Sequence, residues 1–90
     1  MGIDEKDIMR KVKEFFENNF LSLEGDMIID DDLSFFENGV IDSTGVLELI
    51  DFLEENFSIV IEDEEVVPDN LDSFNKIVSF VLRKKGLTGG

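Results

Sequence analysis

The residues most capable of chemistry lie between Gly39 and Phe57, where the chain reads GVIDSTGVLELIDFLEENF. Within this run Ser43 follows Asp42 at the point where a helical apolar pattern begins. The Ser43 hydroxyl suits two roles. It can cap the helix by accepting a backbone N–H bond. It can also stay exposed as a site of covalent modification, where unpaired N–H groups and the helix dipole favour an attached phosphate.

The composition offers no second reactive group. The 90 residues include no His, Cys, Trp or Tyr, so an imidazole base, a thiolate and the usual zinc or iron ligands are missing. Only Lys nitrogen remains to activate a serine. We therefore expect a protein that is not an enzyme, has no metal site, and is stabilised by packing without disulfides.

Charge is spread unevenly along the chain. The formal net charge is −14, and all eight Lys and Arg residues lie before Glu14 or after Asn75. Such an acidic surface can simply keep a small protein soluble. It also speeds encounter with basic proteins and repels nucleic acid and anionic lipid. We expect no nucleic-acid partner.

The chain shows no sign of membrane insertion or export. Its first residues are acidic, without an apolar signal segment, and Lys6 breaks the myristoylation pattern. Apolar runs such as Ile59–Ile61 are far too short to span a bilayer. We expect a soluble, cytoplasmic monomer with no membrane partner.

Hydrophobic periodicity predicts an all-α fold, a small antiparallel four-helix bundle of three main helices and one short one. The first main helix should run from Asp4 to Phe20 and the second from Ser43 to about Phe57. The last should start near Asp72 or Ser73 and stop at Gly86. Residues 1–85 would form one domain, and residues 86–90 a flexible tail.

The connections carry more apolar residues than a free linker would. The long loop between the first two helices should therefore lie across the ends of the bundle, with one helical turn near Leu33–Phe36. After the second helix, Ser58–Ile61 should be extended, with Ile59 and Ile61 turned inward. Asp63–Val67 is predicted to make one short helical turn that Pro68 ends.

The run from Val40 onward resembles the phosphopantetheine-attachment region of acyl carrier proteins. Its D-S pair is followed by E-L-I, an acidic cluster, an apolar connector, D-E-E-V-V and a last helix, in matching order and spacing. The resemblance implies that Ser43 accepts 4′-phosphopantetheine from coenzyme A through a separate magnesium-dependent transferase. Asp42 matches the acid that helps to position the metal and the transferase. The arm's thiol would then hold acyl or aminoacyl groups as thioesters.

The resemblance also implies a docking surface on the second helix. Glu48, Glu54 and Glu55 match the acids that meet basic patches on the phosphopantetheinyl transferase and on loading ligases and synthases. We add Asp51, and then Leu47 and Thr44 as apolar and polar neighbours on the same helix. An ordinary solvated helix face remains the alternative for each of these side chains.

Three positions depart from the usual pattern of acyl carrier proteins. Thr44 replaces a leucine, Gly45 stands where a polar residue is common, and Asp51 takes an often apolar place. We expect all three on the face that a partner sees. They favour a carrier for a specialised fatty-acid, polyketide or related pathway over the general fatty-acid carrier.

Other interpretations of the sequence are weaker. A non-catalytic acidic helical adaptor, in which Ser43 is only a cap and the acids bind a basic protein, is the alternative function. The aspartate run Asp30–Asp32 suggests calcium, but Phe35 occupies the sixth position, where an EF-hand loop needs Gly. The final Gly89-Gly90 pair suits a frayed tail.

Overall fold

The helices follow the predicted order. A computed structural model describes residues 4–19 and 30–86, in which no strand occurs, so the predicted all-α bundle is confirmed. Its elements are α1 (Glu5–Asn19), α2 (Ser43–Phe57), a 3₁₀ turn (Asp63–Glu65), α3 (Pro68–Leu71) and α4 (Phe74–Lys85). The predicted end of the first helix at Phe20, the first part of the long loop and residues 87–90 of the predicted tail lie outside the described residues.

Local capping sets the helix ends. The Asp7 N–H donates to Asp4 Oδ1 at 3.0 Å at the start of α1. The Lys76 N–H donates to Ser73 Oγ at 3.1 Å at the start of α4. Gly86 ends α4 in the left-handed region at φ 72°, which glycine adopts without steric cost. These ends agree with the predicted ones to within about one residue.

The segment before Pro68 differs from the prediction. Pro68 does not end a helical turn over Asp63–Val67; it is the first residue of α3, and the 3₁₀ turn before it ends at Glu65. Proline suits a first helical position because its fixed φ is helical and its missing N–H would have no partner there. Val67 is extended (φ −135°, ψ 156°), as the residue before a proline usually is.

Three phenylalanine rings hold the loop against the helices. Phe35 from the loop lies 4.5 Å from the Phe16 ring of α1 and 5.0 Å from the Phe74 ring of α4, centroid to centroid. All three side chains are buried. The loop therefore lies across the bundle, as predicted, but Ser34–Val40 forms hydrogen-bonded turns in place of a helical turn at Leu33–Phe36.

The helices and their connections contribute the rest of the core. Ile59 and Ile61 in the connector after α2 are buried as predicted, and Phe80 of α4 is buried as well. Helix α4 contacts α1, α2 and α3, so more than one of its faces is covered. The other buried apolar side chains are Ile8, Val12, Ile41, Val46, Leu49, Leu53, Phe57, Leu71, Ile77, Val78 and Val81.

The aspartate run has structural partners. Asp31 pairs with Lys13 Nζ at 2.9 Å, and Asp32 Oδ1 accepts from Asn75 Nδ2 at 2.7 Å. In the part of the chain that the structure describes, no group of three or more carboxylates is placed to hold a metal ion. These acids attach the loop to α1 and α4.

The basic end of α4 reaches neighbouring elements. Lys85 Nζ donates to Phe57 O at 2.7 Å and so satisfies a carbonyl at the end of α2. Lys84 Nζ pairs with Glu65 Oε1 at 2.9 Å. The pKa of Glu65 is lowered from its ordinary value of 4.5. The main cause is the hydrogen bond that its carboxylate accepts from the Glu62 N–H, and the second is the bond from Lys84. A lowered folded-state pKa stabilises the fold above the ordinary value, and this stabilisation is lost as the pH falls through the lowered value.

Replacing Phe35 tests the role of the ring cluster. We expect Phe35→Ala to lower the free energy of unfolding by about 3–5 kcal/mol, since it removes a fully buried ring and leaves a cavity. Urea denaturation followed by circular dichroism measures the change. The neighbouring Phe36→Ala is the matched control, because this ring is 38% exposed. Equal losses from the two variants would contradict the assignment.

Candidate functional site

Asp42 caps the second helix. Its backbone is extended (φ −120°, ψ −173°), and its Oδ1 accepts the Gly45 N–H at 2.8 Å. Its carbonyl oxygen accepts the first intrahelical bond, from the Val46 N–H at 2.9 Å. The capping role that the sequence analysis considers for Ser43 therefore belongs to Asp42.

Ser43 is the first residue of α2 and is exposed. Among the described residues its hydroxyl has no hydrogen-bond partner, so it is available for reaction. The N–H groups of Ser43 and Thr44 precede the first intrahelical bond and also lack partners in this part of the chain. A phosphate on Ser43 Oγ would lie at the positive end of the helix dipole.

An open groove of about 580 Å³ runs beside Ser43. One wall comes from the loop and α2, and the other from the segment around α3. Three of the exposed large apolar side chains of the described chain, Phe36, Leu47 and Val67, line it. Its lining residues are Phe36, Asp42, Ser43, Val46, Leu47, Val66, Val67, Pro68 and Leu71.

Sequence reasoning missed the far wall of this groove. The sequence predicts only a short helical turn that ends at Pro68, and it gives no role at the site to Val66, Val67 or Pro68. The signal available was the V-V-P triplet, because residues before proline stay extended and two adjacent valines cannot both point inward there. Only the fold brings this triplet opposite Ser43.

The predicted docking side chains fall into two groups. Thr44, Glu48, Asp51 and Glu55 are exposed and follow each other at steps of three and four residues, so they form one stripe along α2. Leu47 is 65% exposed beside this stripe, at the groove. Gly45 was expected on the same face, but it is buried, because the first turn of α2 directs positions 45 and 46 into the bundle.

Glu54 has a structural bond that the sequence does not suggest. It is half-buried, and its Oε2 accepts the Ile61 N–H at 2.9 Å. This bond holds the extended connector after α2 in place, with Ile59 and Ile61 directed inward. Glu54 thus differs from the exposed Glu55, although the sequence groups the two.

Substitutions at Glu54 separate these two acids. We expect Glu54→Ala to lower the free energy of unfolding by about 1–3 kcal/mol, because the Ile61 N–H loses a charged acceptor. Glu54→Gln keeps an acceptor oxygen and should lose less. Glu55→Ala is the matched control and should change stability by less than about 0.5 kcal/mol. Thermal denaturation of the three variants decides the matter, and a Glu54→Ala value equal to the control would refute the structural role.

The fold and the site agree with the class predicted from the sequence, a small carrier protein of the acyl-carrier type: a helical bundle with an exposed serine at the start of its second helix. No family model matches the chain. The D-alanyl carrier protein of Streptococcus sanguinis is 41% identical over 75 residues, which cover 83% of this chain and 91% of that protein. The D-alanyl carrier protein of Streptococcus mutans serotype c is 38% identical over 72 residues, covering 80% and 87%.

The chain belongs to the D-alanyl carrier protein family. It is therefore a carrier and a substrate of enzymes, with no catalysis of its own, and this confirms the class predicted from the sequence. The adaptor alternative is set aside. Among the residues that the structure describes, no helix has the length and apolar character needed to cross a membrane.

Proposed function

We propose that the chain carries a D-alanyl group as a thioester on a 4′-phosphopantetheine arm attached to Ser43. The observation that carries the proposal is the division of roles at the start of α2. Asp42 caps the helix, which leaves the Ser43 hydroxyl exposed and without a partner in the described chain. We infer the D-alanyl cargo from the two relatives, both of which are named D-alanyl carrier proteins.

Attachment needs a nucleophilic oxygen and help from a second protein. Ser43 Oγ forms a bond to phosphorus, the pyrophosphate bond of coenzyme A breaks, and adenosine 3′,5′-bisphosphate leaves. The hydroxyl proton passes to a base of the transferase, since this chain has no His. Only Oδ1 of Asp42 is used in the cap, so Oδ2 remains for the Mg²⁺ that the transferase brings.

The residues around Ser43 fit the arm. When bound, the arm supplies the thiol that holds the cargo as a thioester. The N–H groups of Ser43 and Thr44, which have no partner among the described residues, would be available to bind the phosphate of the arm. The apolar groove, with Val46, Leu47 and Val67 in its lining, offers a surface for the aliphatic part of the arm.

The core favours a small cargo. The rings of Phe16, Phe35 and Phe74 stand 4.5–5.1 Å apart in the middle of the bundle, where a long acyl chain would otherwise be enclosed. An alanyl group needs no apolar enclosure, and its ammonium suits an acidic surface. The aminoacyl alternative is therefore preferred over the fatty-acid and polyketide pathways suggested by the sequence.

The exposed stripe of α2 is proposed as the docking surface. Glu48, Asp51 and Glu55 would meet basic patches on the transferase and on the ligase that loads the amino acid, with Thr44 and Leu47 beside them. Glu54 contributes charge, but one of its oxygens is engaged with Ile61. We place the protein in the cytoplasm, where coenzyme A is available.

Attachment is tested with purified protein, coenzyme A, Mg²⁺ and a promiscuous phosphopantetheinyl transferase. We expect the intact mass to increase by one phosphopantetheine group. Ser43→Ala should take no adduct, whereas Ser79→Ala, which removes an exposed serine on α4, should be modified like the wild type. An adduct on Ser43→Ala, or none on the wild type, would refute the proposal.

The cargo is tested on the modified protein. With ATP and a D-alanine-activating ligase, we expect a thioester of D-alanine that hydroxylamine releases. L-Alanine and a long-chain acyl donor with its own ligase should load at least about tenfold less efficiently, a difference of roughly 1.4 kcal/mol in transition-state binding. Efficient long-chain loading with no D-alanylation would contradict the proposed cargo while leaving the attachment site intact.

A further inference from the structure

We infer that Asp72 is a positioning residue for the site, because it joins the two walls of the groove beside Ser43. The inference rests on the proposed function, since it concerns the modification of Ser43. Asp72 lies between α3 and α4, far from Ser43 in sequence, and it is not part of the groove lining.

On the α3 side, Asp72 is the C-terminal cap residue. Its backbone is helical (φ −84°, ψ −3°), and its N–H donates to Pro68 O at 3.0 Å. Pro68 and Leu71, which line the groove, belong to the same short helix. A helix of one turn has little stability of its own, so its position depends on contacts such as this one.

On the loop side, Asp72 makes three hydrogen bonds to consecutive residues. Its Oδ2 accepts from Ser34 Oγ at 2.6 Å, and its Oδ1 accepts from the Phe36 N–H at 2.9 Å. Its carbonyl oxygen accepts from the Phe35 N–H at 2.8 Å. Hydrogen bonds to an ionised carboxylate are stronger than neutral ones, so this is a firm attachment for a loop segment.

The attachment reaches the site through Phe36. The Phe35 side chain is buried in the core, whereas the Phe36 side chain is exposed and lines the groove. The chain then folds back through a bond from the Val40 N–H to Phe35 O at 2.9 Å. It reaches Asp42 two residues later. The position of the loop at Phe36 therefore determines where the Phe36 side chain lies in the groove. It also determines the path of the chain to Asp42, the cap of α2.

Without the Asp72 carboxylate, the loop would keep Phe35 in the core but lose its bonds at Ser34 and Phe36. The groove would then be correctly formed for a smaller fraction of the time. A binding-competent state that is only partly populated weakens apparent affinity by that fraction. The effect should therefore appear in the transferase KM for this protein, with little change in kcat.

The test compares four variants as transferase substrates. Asp72→Ala removes the charge and the bonds, whereas Asp72→Asn removes the charge and keeps an acceptor for Phe36. Asp69→Ala and Asp69→Asn are the matched controls, because Asp69 is an exposed acid on α3 with no hydrogen-bond partner in the described chain. Melting curves first establish that each variant is folded at the assay temperature.

We expect Asp72→Ala to raise KM about tenfold with kcat within about twofold, a change equivalent to roughly 1.4 kcal/mol. Asp72→Asn should recover most of the affinity, and both Asp69 variants should behave like the wild type. Amide hydrogen exchange should become faster at Phe36 in Asp72→Ala and stay unchanged at Val40. If Asp72 had a purely structural role, Asp72→Ala would lower the melting temperature but would not raise KM while leaving kcat unchanged.

Several results would overturn the inference. Asp72→Ala with wild-type KM would do so, as would equal losses from the Ala and Asn variants, which would indicate charge and not geometry. If Asp72→Ala does not fold, Ser34→Ala replaces it, and an unchanged KM there would refute the inference. A wild-type protein that takes no adduct would refute the proposed function, and the inference with it.

Discussion

The structure depends on the burial of Phe35 between α1 and α4. A loop residue that enters the core fixes the path of the chain on either side of it, because the next turns must close around that ring. The Val40 N–H bonds to Phe35 O at 2.9 Å, Ile41 is buried, and Asp42 follows as the cap of α2. The position of Ser43 at the start of α2 is thus set by packing several residues upstream of it.

The functional consequence is a separation of tasks between adjacent residues. Asp42 satisfies the helix start, and Ser43 is left exposed at the positive end of the helix, where we propose that the arm is attached. The surfaces around Ser43 are divided in a similar way: the groove offers apolar contact, whereas the stripe of acids on α2 faces solvent. In the proposed function, this carrier without His or Cys holds its cargo on an arm, and the arm would supply the reactive thiol.

The sequence predicted the features that depend on interactions between residues close together in the chain. The bounds of α2, the caps at Asp4 and Ser73, and the glycine stop at Gly86 follow from periodicity and from hydrogen bonds within a few residues. The bonds from the Ile61 N–H to Glu54 and from the Ser34 hydroxyl to Asp72 span longer separations and leave no periodic pattern in the sequence. In the sequence alone, Glu54 and Asp72 look like ordinary surface acids, because only the fold brings Ile61 and Ser34 next to them.

The same distinction explains the errors at Pro68 and Gly45. A proline can either end a helix or begin one, and the path of the chain after it decides which of the two occurs. The burial of Gly45 depends on which neighbouring element covers it. The acyl-carrier class, in contrast, could be predicted because its motif, from Asp42 through the second helix, is continuous in the sequence, whereas the D-alanyl family could not.

The central claim is that Ser43 carries the cofactor, and the most direct measurement is the mass of the protein isolated from the cell that produces it. We predict a population heavier than the polypeptide by one phosphopantetheine group, with fragment ions that place the group on Ser43. A population that is entirely unmodified, or one that carries the group on another residue, would contradict the account.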